Sequence, residues 1–393
     1  MRNLKNVHHS ILRSPPNSVL TAATWDTSSD TLICAYGCPR DKDRIELQRW
    51  TSLTKGPAKG GANPAVSEAI ASWDTSISIS VDEILDLHYF PDSSTFCLVL
   101  ANGDIFVVRD SPIHDEDRIE TVGSVDEGIT AAAWSPDEEV LAITTRANTL
   151  LYLDKDFENL VNITLSPDDL QASKHVSVGW GKSETQFKGK KARILRDPTI
   201  PERIDEGSLS DLDAKNTTIS WRGDGSYVAV NRIESGRRVI QVYSRDGSLD
   251  SASEPVNDLL GALSWRPAGN LIASVQCLEG RADVVFFERN GLRHGQFPLR
   301  LAKEELTACV REMSLKWNVD SSVLAVCFKD RVQLWTMGNY HYYLKQEIFL
   351  MSPPPNGRSA CVQWHPEDPL KLVVASEGTS PQHTCSLEAS ILI

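Results

Sequence analysis

Along this chain, short runs of residues alternate between apolar and polar, and each run stops at a cluster of Pro, Asp, Gly or Asn. Such alternation predicts a half-buried strand, and the polar cluster predicts a tight reversal into an antiparallel neighbour. One unit recurs: an apolar residue, a spacer, an aromatic residue, a turn, then a second apolar or β-branched run. It reads Ala132-Ala133-Trp134-Ser135-Pro136-Asp137 before Val140-Leu141-Ala142, and Ile219-Ser220-Trp221-Arg222-Gly223-Asp224-Gly225 before Tyr227-Val228-Ala229. It returns at Leu263-Ser264-Trp265, Leu315-Lys316-Trp317 and Val362-Gln363-Trp364. Ala23-Thr24-Trp25 and Leu87-His88-Tyr89 are earlier copies, and Val178-Gly179-Trp180 is one with a degenerate second half.

The anchors Trp25, Tyr89, Trp134, Trp180, Trp221, Trp265, Trp317 and Trp364 are separated by 64, 45, 46, 41, 44, 52 and 47 residues. Blades of a WD40-type β-propeller repeat at about 40–45 residues, so the expected fold is all-β, built from four-stranded antiparallel blades. Eight anchors admit eight blades; seven are favoured, because the two chain ends can share the closing blade. Asn3 to Leu12 is a candidate outer strand there, in competition with Tyr342 to Phe349. Large aromatics at repeat spacing are expected to pack between neighbouring sheets, as structural residues and not as a cofactor cage or base-stacking platform. The Asp residues after them, Asp137 and Asp224, read as turn formers and not as catalytic carboxylates.

Two stretches interrupt the period. The first, about 51–75, contains Lys55-Gly56-Pro57-Ala58-Lys59-Gly60-Gly61 and reads as an inserted loop. The second, 187–214, starts with Lys188, Lys190, Lys191, Arg193 and Arg196 and ends with Asp205, Glu206, Asp211 and Asp213. Its basic half is the candidate interaction loop; a solvated charged loop is the plainer alternative. The propeller is expected over 1–376, and 377–393 loses the blade pattern and reads as a divergent, disordered tail.

Composition narrows the function. Hydrophobic residues make up 41% and charged residues 24%, a balance that supports a folded core. The net charge of −13 excludes a broad positive field for nucleic acid, so any RNA contact is local or comes through a partner. No apolar run reaches membrane-span length and the start lacks a signal-peptide pattern, so the expected compartment is the cytoplasm, with the nucleus second. The eight cysteines are scattered and read as reduced thiols; Cys34 and Cys38 lack a second ligand pair for zinc.

Catalytic constellations are missing from the sequence. Gly181-Lys182-Ser183-Glu184-Thr185 lacks the final glycine of a nucleophile elbow, and Val176 stands where a P-loop needs its first glycine. The nine histidines show no metal-binding spacing, and His365 reads as part of its turn. No enzyme, cofactor or metal site is expected.

Some strings exceed what a blade demands: Val178-Gly179-Trp180-Gly181-Lys182-Ser183-Glu184-Thr185-Gln186-Phe187, Val242-Tyr243-Ser244-Arg245-Asp246-Gly247, and Gly261-Ala262-Leu263-Ser264-Trp265-Arg266-Pro267-Ala268-Gly269. With the start Met1-Arg2-Asn3-Leu4, they resemble the first propeller of the large scaffold subunit family of the Elongator complex. The resemblance runs to about Ser376. It implies a non-catalytic scaffold whose partners are other Elongator subunits: a catalytic radical-SAM and acetyltransferase-type subunit, and a WD40 subunit. That complex begins carboxymethyl-type modification of the tRNA wobble uridine, so tRNA would be met indirectly. The family's second propeller, helical solenoid, dimerisation region and basic tRNA-contacting segment have no counterpart here, and a monomer is expected. The alternatives are another intracellular WD40 interaction scaffold, or the propeller half of a hydrolase.

Overall fold

A computed structural model describes residues 4–13, 19–37, 44–50, 67–74, 84–165, 206–307, 313–328, 330–349, 361–379 and 385–392. The described residues form seven four-stranded antiparallel sheets. β1 (Asn6–Arg13) is followed by blade 1, comprising β2 (Val19–Asp26), β3 (Thr31–Gly37), β4 (Arg44–Trp50) and β5 (Ser67–Asp74). Blade 2 comprises β6 (Ile84–Phe90), β7 (Thr95–Leu100), β8 (Asp104–Arg109) and β9 (Ile119–Ser124). Blade 3 comprises β10 (Ile129–Trp134), β11 (Leu141–Thr145), β12 (Thr149–Leu153) and β13 (Asn159–Thr164). Blade 4 comprises β14 (Thr218–Trp221), β15 (Tyr227–Glu234), β16 (Arg237–Ser244) and β17 (Leu249–Ala252). Blade 5 comprises β18 (Leu259–Trp265), β19 (Leu271–Leu278), β20 (Arg281–Glu288) and β21 (Arg293–Pro298). Blade 6 comprises β22 (Ser314–Trp317), β23 (Val323–Cys327), β24 (Arg331–Gly338) and β25 (His341–Phe349). Blade 7 comprises β26 (Cys361–Trp364), β27 (Leu372–Thr379) and β28 (Cys385–Leu392), with β1 as its outer strand.

The first strands of the blades touch in cyclic order, β2 to β6 and on to β26, and β26 touches β2 again, so the ring is closed. Each described anchor sits at the same register, opposite an apolar residue of the next strand: Trp25 faces Leu32, Tyr89 faces Phe96, Trp221 faces Val228 and Trp364 faces Leu372. Every described anchor packs with the blade before its own. Trp221 lies among Ala142 and Tyr152 of blade 3, Trp265 among Ala229 and Val242 of blade 4, and Trp25 against Val373 of blade 7. The second strands are enclosed on both faces, which is why β3, β11 and β23 are buried at every position and read as continuous apolar runs. Cys34, Cys97, Cys277 and Cys327 are buried within this core, none of these four in a disulfide.

Three boundaries differ from the sequence reading. The expected tail supplies β28, which pairs with β27 from Leu372↔Leu392 to Thr379↔Cys385 and with β1 on its other edge. Its pattern was weak because its partners are at opposite ends of the chain. The first insertion ends earlier than 75, since Ser67–Asp74 is β5, the outer strand of blade 1. The segment Tyr342 to Phe349 does not compete for the closing blade; it lies within β25, the outer strand of blade 6. Trp180, the surplus anchor, and residues 52–66 lie outside the described residues.

Candidate interaction surface

At one end of the ring, the turns between first and second strands carry the Asp, Ser and Pro residues of the repeat. Asp137 accepts a hydrogen bond from the Ser135 hydroxyl at 2.5 Å and one from Arg245 of blade 4 at 2.5 Å. Burial alone would raise its carboxyl, but these donors outweigh burial and hold it below the usual carboxylate range. Asp224 likewise accepts from the backbone and hydroxyl of Ser226. These carboxylates are consumed by turn geometry.

The same end ties blade to blade around the ring. Arg49 reaches Asp110 at 2.8 Å, His88 lies 3.1 Å from Glu138, and Arg245 holds Asp137. The Arg222 guanidinium donates to the Gly269 carbonyl, Ala268 N–H donates to the Ser321 hydroxyl at 2.7 Å, and Asn318 donates to the Pro369 carbonyl at 2.9 Å. Lys371 closes the circle on Asp30 and lies over the Trp25 ring. His365 beside it accepts from the N–H groups of Glu367 and Asp368 through Nδ1, so it is fixed by its turn.

The opposite end is dominated by the return limb of the second insertion. Asp213 and Arg238 form an ion pair whose side chains are 0% and 1% exposed. Arg238 also donates to the Asn216 carbonyl at 2.8 Å and to the Asn231 side chain, which in turn donates to the Leu260 carbonyl. Gly261 makes room for this cluster: a Cβ there would stand 2.2 Å from Asn216 Oδ1 and 2.9 Å from Arg238. Asn257 accepts from the N–H groups of Gly207 and Ser208, fastening the limb to blade 5. The limb therefore leaves a rigid clamp, while Lys188, Lys190, Lys191, Arg193 and Arg196 lie outside the described residues.

Between the two ends, the first strands carry few ionisable groups. Three residues before each anchor stand Ala22, Asp86, Ala131, Thr218, Ala262, Ser314 and Cys361. Asp86 is the outlier. Its Oδ2 is sealed from solvent with no hydrogen-bond partner, and burial pushes the carboxyl up to about 6 against the opposing charges of His88 and Lys316. Aligning the repeats would have singled it out; the Asp213–Arg238 pair, 25 residues apart with β14 and β15 between them, left no such signal. Among the described residues, no group of three or more His, Cys, Asp or Glu could hold a metal ion, and no described helix is long and apolar enough to cross a membrane.

Comparison with known proteins bears on this ring. Residues 1–367 match the family described as ELP1 first N-terminal beta-propeller. Elongator complex protein 1 of Schizosaccharomyces pombe is 40% identical over 386 residues, covering 96% of this chain and 29% of the relative. The Saccharomyces cerevisiae protein of that name is 39% identical, covering 91% of this chain and 28% of the relative. The chain thus spans less than a third of the length of these relatives. The solved structure of Chaetomium thermophilum Sqt1 bound to the N-terminus of the ribosomal protein L10 superposes with a TM-score of 0.56 at 14% identity. It covers 95% of this chain and 83% of that one, and it speaks for the fold alone. With seven blades closed in register and the family match spanning nearly all of them, this chain belongs to the first N-terminal propeller family of Elongator complex protein 1.

Proposed function

We propose that this propeller is a non-catalytic scaffold module of the Elongator complex, in the cytoplasm and secondarily the nucleus. It holds other subunits in place while a separate radical-SAM and acetyltransferase-type subunit begins carboxymethyl-type modification of the tRNA wobble uridine. The observation that carries this reading is the family match over residues 1–367. Geometry supports it: polar bridges at every joint stiffen the ring, and variable loops on such a ring suit docking to several proteins. The polar groups of the repeat are engaged in turns and joints, which leaves the ring itself little to do chemistry with.

On this reading tRNA reaches the complex through other segments and subunits, in keeping with the net charge of −13. The basic residues Lys188, Lys190 and Lys191 are the exception to test. Their replacement by Glu is expected to weaken partner or tRNA association. Affinity purification of the tagged chain at native expression is expected to recover Elongator subunits, the catalytic and WD40 subunits among them. Recovery of none would overturn the proposal in favour of a different WD40 scaffold.

A further inference from the structure

The hairpins joining third to fourth strands differ sharply among blades. In blades 4 and 5 the left-handed position of this turn is glycine: Gly247 at φ +86° and Gly291 at φ +84°. In blade 3 it is Phe157 at φ +62°, and the ring contributes to the core beside Trp134, 6.1 Å away edge-on. In blade 6 the turn is Asn339-Tyr340, at φ +48° and +63°. Such a two-residue turn favours Asn then Gly. Tyr340 occupies the glycine position and is 89% exposed, so nothing inside the fold compensates a bulky side chain there.

Tyr340 does not stand alone. Met337 and Tyr343 of the same hairpin are exposed, and so are Val319 and Leu370 in the first turns of blades 6 and 7. Those two turns are joined by the Asn318 bond to the Pro369 carbonyl, and the hairpin is joined to the first of them by Thr336 donating to the Ser322 carbonyl at 3.1 Å. The matching turns of blades 3, 4 and 5 carry no large apolar side chain: Pro136-Asp137-Glu138-Glu139, Gly223-Asp224-Gly225 and Pro267-Ala268-Gly269-Asn270. Around the apolar strip stand the exposed carboxylates of Asp320, Glu367 and Asp368. The lysine of these turns, Lys371, is buried against Asp30, and Arg266 of blade 5 is spread over the Trp317 ring.

We infer that this strip on blades 6 and 7 docks a segment of another protein in which apolar anchors are flanked by Lys or Arg. An exposed aromatic and methionine give the anchor contacts, and the surrounding carboxylates select a basic partner. The inference stands whether or not the partner belongs to the Elongator complex.

The test replaces Tyr340 with the photo-crosslinking residue p-benzoylphenylalanine in this chain, expressed in its own cells, with Ile113, 93% exposed on blade 2, as the control position. The expected result is a crosslink from position 340 and not from 113, mapping by mass spectrometry to a Lys- or Arg-flanked apolar segment of another protein. Asp320→Lys with Asp368→Lys should reduce its yield by more than about tenfold. Tyr340→Gly, which relieves the turn, should abolish association with the mapped segment while leaving the melting temperature equal or higher. Absence of a crosslink, equal yield at both positions, or a crosslink to a second copy of this chain or to an acidic segment would each overturn the inference.

Discussion

Two carboxylates in this ring, the buried Asp213 at the joint of blades 4 and 5 and the half-buried Asp86 on the first strand of blade 2, have opposite surroundings. Asp213 receives both the Nε and the Nη2 of Arg238, within a cluster that Asn216 and Asn231 complete. Asp86 has a sealed oxygen without a donor, and its carboxyl is raised to about 6. The first organises an interface because its desolvation is offset by converging donors; the second is a site where the ring tolerates a poorly solvated acid. Burial of a charge therefore says little until its partners are named.

The largest expected effect comes from breaking the satisfied pair. Arg238→Met leaves Asp213 buried without its cation and should cost about 3–5 kcal/mol of stability in urea unfolding. A loss below about 1 kcal/mol would show that the clamp is dispensable. Asp86→Asn should do the reverse. Its folded pKa lies above the unfolded value, so the native state holds the proton more tightly and stability falls as pH rises from about 4 to about 6. Removing the charge should stabilise the protein by about 1–3 kcal/mol at pH 7 and flatten that part of the pH profile; an unchanged profile would place Asp86 in better contact than described. The smallest effect is expected at the half-exposed Arg245–Asp137 bridge, where Arg245→Gln should cost no more than about 1 kcal/mol and less at high salt. Because the Asp137 carboxyl is held below its ordinary range, that contribution is present above about pH 4 and fades as pH falls through its folded pKa.

Much of the ring was legible in the sequence, for a physical reason: a blade is a local unit, so the anchor, its turn and the next strand fall within about 20 residues. The closing blade was harder. β28 pairs with β1 across the whole chain, and neither strand has a strong alternation of its own. β5 was hidden behind a long connection, so Ser67–Asp74 read as the end of an insertion. The site-level features fared unevenly. Asp137 and Asp224 could be assigned to turns because their placement is periodic, whereas Asp213, Arg238 and Tyr340 acquire meaning only through their neighbours in three dimensions. The basic loop at Lys188 to Arg196 rests on charge pattern alone.

The central claim, a scaffold that does no chemistry, is tested most directly by measuring modified wobble uridine in tRNA from cells whose full-length subunit carries one of two changes. Deleting residues 1–367 should abolish the modification and release the other Elongator subunits. Replacing three ionisable first-strand residues together, by Asp86→Asn, His88→Gln and Lys316→Met, should leave both modification and assembly at the level of the unaltered protein. Loss of modification in the triple variant with the complex still assembled would contradict the account and assign chemistry to the ring.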